Sequence, residues 1–61
     1  MTAHDFTAWM KHMNLDKGET ARLLGLGRNT VPRYMAEGAP PYIGYACAAI
    51  AMGLPQWGQK G

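Results

Sequence analysis

The side chains best suited to chemistry in this 61-residue chain are hydrogen-bond donors near its middle. Four of the six lysines and arginines fall in a short stretch that also holds an asparagine and a threonine; the set is Lys17, Arg22, Arg28, Asn29, Thr30 and Arg33. Arginine can pair with the O6 and N7 atoms of guanine, and asparagine can pair with N6 and N7 of adenine. Lysine and arginine also bind phosphate. These residue types indicate recognition of a polar, anionic ligand.

Catalysis and metal binding have no comparable set of residues. The chain offers no paired carboxylates and no nucleophile beside a base, and "GLG" at residues 25–27 lacks the preceding strand of a nucleotide-binding loop. His4 and His12 lie eight positions apart, and the single cysteine, Cys47, is distant from both, which matches no zinc-binding spacing. We therefore expect no enzymatic activity, no metal or other cofactor, and no small-molecule ligand.

Start and stop signals divide the chain into four helices that must position the donors. Thr2 with Asp5, and Asp16 with Glu19, are pairs that cap helix N-termini, and Asn14 can close the first helix in the left-handed conformation. The predicted helices run from about Ala3 to Met13, from Lys17 to Leu24, between Gly27 and Gly38, and from Pro41 to a stop at Gly53. No segment alternates like a strand. The sequence predicts one all-α domain of four helices over residues 1–61, with a short C-terminal tail.

The buried face of each helix follows from the apolar spacing. In helix 1 four apolar residues recur on one face, namely Phe6, Trp9, Met10 and Met13. Helix 2 is expected to bury Ala21 and Leu24. Trp9 is predicted to be a core residue, and Tyr34 to pack beside Val31 and Leu24.

The stretch "KGETARLLGLGRNTVPRYMA", residues 17–36, resembles the helix-turn-helix of the Cro and lambda-repressor-like (XRE-type) DNA-binding domains. That motif has a small residue at the helix crossing, a glycine at the turn and apolar residues around them, which here are Ala21, Gly25, Val31, Leu24, Leu26 and Tyr34. The resemblance implies that helix 3 enters the major groove of double-stranded DNA while helix 2 approaches a phosphate. The family usually has five helices, whereas this chain has room for four. The alternative is a plain helical hairpin in a small bundle.

Each donor then has an expected role beside a simpler one. Arg28 is expected to contact guanine and Asn29 adenine, although both could be solvated, with Asn29 acting only as a helix cap. Thr30 is expected to touch a phosphate or a thymine methyl, and Arg33 a base or the backbone. Lys17 faces a phosphate or is an ordinary surface lysine. Arg22 is expected only to be solvated, and Arg33 can pair with Glu37 along the helix.

Pro32 lies inside the helix that would read DNA, where a proline normally costs a hydrogen bond. If Asn29 begins the regular helix, Pro32 falls in the first turn and no hydrogen bond is lost. We therefore predict a late or irregular start, or a small kink, near Arg28 and Asn29. By the resemblance, Pro32 faces the DNA groove, where its ring could meet a thymine methyl or keep a larger side chain away.

Helix 4 is apolar on nearly all sides, and residues 38–59 contain no charge and no histidine. One stripe, Ile43, Cys47, Ile50 and Leu54, is expected to pack against helices 1 and 3. A second stripe, with the tail, is predicted to form a symmetric dimer interface within residues 41–57 through Tyr42, Tyr45, Ala46, Ala49, Met52 and Trp57, because a domain this small cannot bury such a helix alone. Alternatively, the second stripe folds under the tail of its own subunit.

The apolar stretch from residue 42 to 54 is too short to span a bilayer, and the N-terminal residues lack the pattern of a signal peptide, so we expect a cytoplasmic protein without membrane contact. The leading expectation is a transcriptional repressor of phage or mobile-element origin that binds an inverted repeat as a homodimer, similar to the small autorepressors found beside anti-CRISPR genes. The alternative is a helix-turn-helix scaffold that binds a host or phage protein, which the low net charge of +2 slightly favours.

Overall fold

The computed structural model describes residues 1–58, so residues 59–61 of the predicted tail lie outside the described part of the chain. The described residues form four α-helices and no β-strand: α1 (Ala3–His12), α2 (Lys17–Leu24), α3 (Thr30–Glu37) and α4 (Pro41–Ala51). This confirms the predicted all-α, four-helix fold. In this fold α3 packs against both α1 and α2.

The predicted capping pairs fix where the first two helices begin. The Thr2 hydroxyl accepts a hydrogen bond from the Asp5 N–H at 3.0 Å. The second pair forms a complete capping box, because Asp16 accepts from the Glu19 N–H at 2.7 Å and the Glu19 carboxylate accepts from the Asp16 N–H at 3.0 Å. Asn14 adopts a φ of 56° and closes α1, as predicted.

The core lies where α1 meets α3 and α4. Six apolar side chains are buried there: Phe6, Trp9, Met10, Val31, Ile43 and Cys47. The Trp9 Nε1–H donates to the Cys47 carbonyl at 3.0 Å, which joins α1 to α4. Tyr34 packs edge-on against Phe6 with ring centroids 5.6 Å apart. The structure thus confirms Trp9 as a core residue. Burial also raises the pKa of the Cys47 thiol.

The buried face of α2 includes one residue that was not predicted. Ala21 and Leu24 pack against the core as predicted, although each is half-buried, and the fully buried residue of α2 is Thr20. Its hydroxyl donates to the Asp16 carbonyl one turn earlier at 2.8 Å, so burial leaves no hydrogen-bond donor unpaired. A threonine can therefore occupy a core position that the apolar pattern did not reveal.

The predicted burial of the first stripe of α4 is confirmed at three of its four positions. Ile43 and Cys47 are buried and Ile50 is half-buried, but Leu54 remains 55% exposed. The helix ends in the predicted Schellman turn, with Gly53 at a φ of 73° and the Leu54 N–H donating to the Ala49 carbonyl at 2.9 Å. That turn redirects the chain, so the helical spacing no longer places Leu54 on the core face.

Two glycines set the paths between helices. Gly25 has a φ of 68° and ends α2, and the Leu26 N–H after it donates to the Ala21 carbonyl at 2.8 Å. Gly38 has a φ of 96°, and a Cβ there would lie 2.9 Å from the Met1 carbonyl oxygen. Gly25 thus supplies the turn expected of the motif, and Gly38 allows the chain before α1 to approach the start of α4 closely.

Candidate nucleic-acid interface

An open groove lies between the N-terminal ends of α2 and α3. Its volume is about 480 Å³, and it is lined by Lys17, Gly18, Ala21, Arg28, Asn29 and Pro32. Four of the six residues predicted to contact DNA therefore share one concave surface. The sequence did not predict that Gly18 and Ala21 line this groove. Their small side chains make the α2 side of the groove shallow.

The turn before α3 presents the two donors predicted to read bases. Arg28 and Asn29 are both exposed. Asn29 occupies the N-cap position with φ −88° and ψ −11°, but its side chain makes no capping hydrogen bond. The interpretation of Asn29 as a side-chain cap is therefore wrong, and its amide is not used by the helix that follows.

The position of Pro32 resolves the conflict between the proline and the helix. The predicted late start is confirmed, because α3 begins at Thr30, whose N–H donates to the Gly27 carbonyl at 3.1 Å. Pro32 is thus the third helical residue, and the first four N–H groups of a helix have no intrahelical partner. The proline costs this helix no hydrogen bond, and its ring is exposed on the groove.

The start of α2 combines a cation with a capping box. Lys17 is exposed and lines the groove. The Asp16 carboxylate accepts a hydrogen bond from the N–H of Glu19. The N–H groups of Lys17 and Gly18, also in the first turn, remain able to donate to an external acceptor. The two capping carboxylates also reduce the positive potential at this helix end, so Lys17 is the main positive charge on the α2 side of the groove.

Thr30 and Arg33 do not line the groove. Thr30 is half-buried in the first turn of α3. Arg33 lies further along α3, where its Nε is 3.9 Å from the Glu37 carboxylate and both side chains are largely exposed. The predicted pair therefore forms, but an exposed pair at this distance is weak and leaves Arg33 able to change partners.

The Tyr34 hydroxyl on α3 has a raised pKa. Burial raises the pKa of the Tyr34 hydroxyl, the nearby Tyr42 side chain raises it further, and the Arg33 cation partly opposes this. The Tyr42 side chain nevertheless stays 65% exposed.

A second surface, apolar and uncharged, lies along α4 and the tail. Its exposed large side chains are Leu23, Tyr42, Tyr45, Met52, Leu54 and Trp57, which we call the apolar surface. Beside them is a groove of about 470 Å³ lined by Leu23, Leu24, Ala46, Ala49, Ile50, Leu54, Pro55, Gln56 and Trp57. The tail forms a wall of this groove but does not cover it, since Trp57 is fully exposed. The prediction missed Leu23, although only one residue of the Leu23–Leu24 pair can face the core.

Comparison of the chain with protein-family models, curated proteins and solved structures found no match. The helix-turn-helix resemblance stays a prediction that rests on the residues themselves. Within residues 1–58, no group of three or more histidine, cysteine, aspartate or glutamate side chains is arranged to hold a metal ion. None of the helices in that range has the length and apolar character needed to cross a membrane.

Proposed function

We propose that this chain is a sequence-specific DNA-binding transcriptional regulator whose groove between α2 and α3 contacts the major groove of duplex DNA. The observation that carries the proposal is the convergence of Lys17, Arg28, Asn29 and Pro32 on one open groove at two helix N-termini. Neither base-reading side chain serves as a helix cap, and both are exposed. A polyanion that presents hydrogen-bonding base edges is the ligand that this combination suits.

The roles divide between positioning and reading. Lys17 and the free first-turn N–H groups of α2 bind a backbone phosphate and fix the orientation of the domain. Arg28 pairs with guanine and Asn29 with adenine, each contributing about 1–3 kcal/mol of discrimination. Arg33, one turn beyond the groove, exchanges Glu37 for a phosphate or a base, and Thr30 contacts a phosphate.

The regulator acts as a symmetric dimer joined through the apolar surface. The second copy is its natural occupant, because this uncharged surface offers nothing to a partner recognised by charge and a two-fold interface needs only self-complementarity. Two copies of α3 would then lie about 34–36 Å apart and read an inverted repeat. Repression in the cytoplasm, on a phage or mobile element, is the setting that fits a regulator of this size. Sedimentation at micromolar concentration should give a dimer; a species of 6.7 kDa alone would contradict it.

A protein-interaction module is the second candidate, favoured by the fully exposed Trp57 and the other exposed side chains of the apolar surface. The dependence of binding affinity on salt concentration distinguishes the two candidate functions. DNA binding weakens steeply with salt because lysines and arginines displace condensed counterions, whereas an apolar protein interface changes little.

Binding-site selection from a pool of random duplexes tests the proposal. We expect enrichment of one inverted repeat, bound with an affinity that falls by at least about tenfold between 50 and 200 mM salt. The pool should be passed in parallel over the variant with both Arg28→Ala and Asn29→Ala, which should enrich no common sequence. If the wild-type chain enriches none either, the chain is not a sequence-specific DNA-binding protein.

A further inference from the structure

Pro32 places an apolar ring among the hydrogen-bond donors of the groove. Lys17, Arg28 and Asn29 line the same space, and the Pro32 side chain is exposed there. At the third position of α3 most residues would add an N–H group that the helix does not use. Proline removes that donor and substitutes a rigid ring, so this part of the groove cannot form a hydrogen bond through residue 32 to whatever occupies it.

The wall facing Pro32 is low and open. Gly18 and Ala21 are the α2 residues that line the groove beside Lys17. A Cβ added at Gly18 would meet only the Asp16 carboxylate at 3.5 Å, an ordinary contact distance. The ring is therefore turned toward space that a ligand can enter.

We infer that Pro32 selects thymine through its 5-methyl group, an inference that rests on the proposed function. Thymine alone among the four bases carries an apolar group on the major-groove edge; the others offer only donors and acceptors there. A polar edge pressed against the ring would lose its water without gaining a partner. The methyl group of thymine loses nothing polar and buries apolar surface against the ring.

Deoxyuridine substitution isolates this contact, since uracil differs from thymine only by the missing methyl group. Each thymine of the selected site is replaced in turn, and each duplex is titrated with the wild-type chain. We expect that replacing one particular thymine in a half-site lowers the affinity about fourfold, because the contact of one buried methyl group is lost. Replacing the other thymines should change the affinity little. Replacement of that particular thymine should not change binding by Pro32→Ser, because a polar hydroxyl takes the place of the apolar ring. It should have about half the logarithmic effect on binding by Pro32→Ala, which keeps one apolar carbon.

Pro40→Ser is the matched control, because Pro40 is the N-cap residue of α4, where serine is well tolerated, and it lies outside this groove. It should keep the full thymine-to-uracil loss. Circular dichroism checks that both serine variants stay helical; should Pro32→Ser unfold, the Pro32→Ala titration decides alone. An unchanged methyl effect in the Pro32 variants, or no sensitive thymine, overturns the inference while the selected site still supports DNA binding. Failure to select any duplex overturns both.

Discussion

The groove between α2 and α3 and the apolar surface along α4 and the tail are built from opposite residue types. The groove collects cationic and amide donors around one proline. Apart from Leu23 of α2, the apolar surface belongs to a 22-residue stretch, residues 38–59, without a single charged side chain. Both are exposed in the same small domain, yet they are suited to partners that differ in charge, polarity and response to salt.

The difference shows which observation is informative in each region. Exposed arginines and lysines are ordinary on a protein surface, so in the groove it is their convergence with Asn29 that points to a ligand. Exposed tyrosine, methionine and tryptophan side chains at neighbouring positions are unusual, so on the apolar surface exposure is itself the signal. We therefore expect changes in one region to leave the function of the other intact.

Removing the base-reading donors should have the largest effect. The double variant Arg28→Ala with Asn29→Ala should lose at least about 2 kcal/mol of preference for the selected site, roughly thirtyfold. Its helicity and dimer sedimentation should be unchanged, because neither side chain packs in the core. Arg22→Ala, an exposed arginine of α2 that does not line the groove, is the control and should bind like the wild type. If Arg22→Ala lost as much preference for the selected site as the double variant, binding would depend on the total positive charge and not on base contacts by Arg28 and Asn29.

A charge on the apolar surface should break the dimer and spare the groove. Tyr45 is 78% exposed, so Tyr45→Lys costs the single domain little, but it would place two lysines in an interface that lacks any acid. We expect the dimer dissociation constant to rise at least about tenfold, since a buried unpaired charge is costly. Sedimentation equilibrium measures this, with Ala8→Lys on α1 as the control. Binding to a single half-site should persist, and a Tyr45→Lys dimer as tight as the wild type would show that the interface lies elsewhere.

Loss of a phosphate contact should have a smaller and more general effect. Lys17→Ala should weaken binding to all duplexes alike and reduce the slope of log K against log salt by about 0.9, the value for one released counterion. Lys11→Ala is the control, because Lys11 lies on α1 away from the groove. A change in sequence preference with an unchanged salt slope would instead place Lys17 at a base.

The smallest effect is expected at Glu37. Its contact with Arg33 at 3.9 Å is exposed, and such pairs contribute less than about 0.5 kcal/mol. Thermal unfolding of Glu37→Gln should therefore shift only slightly. DNA binding should become marginally tighter, because one carboxylate near the backbone is removed. A clear loss of DNA affinity would indicate that Glu37 positions Arg33.

Features that depend on neighbouring residues could be predicted from the sequence. The capping box of Asp16 and Glu19, the turn at Gly25 and the delayed start of α3 before Pro32 each follow from local backbone chemistry, and the structure has all three. Features that depend on packing could not be predicted in this way. The packing of α2 decides that Thr20 is enclosed, and its hydrogen bond to the Asp16 carbonyl only makes that burial tolerable. The exposure of Leu54 depends on where the chain lies after the turn at Gly53.

The candidate groove falls between these cases. Residue type and the helix-turn-helix resemblance singled out Lys17, Arg28, Asn29 and Pro32 one by one, but their shared concave surface depends on how α2 packs against α3. The low wall made by Gly18 and Ala21 follows from the same packing. Sequence periodicity assigns a residue to a face of its own helix and carries no information about the distance to the next helix.

Amide chemical shifts of the whole chain, recorded while the selected duplex is added, show whether the groove between α2 and α3 is the DNA interface. We predict the largest changes at the non-proline residues of 17–18 and 28–33, with the amides of residues 42–57 nearly unaffected at a protein concentration where the dimer is already formed. Changes concentrated at residues 42–57, with the groove residues unmoved, would contradict the assignment of the groove as the DNA interface.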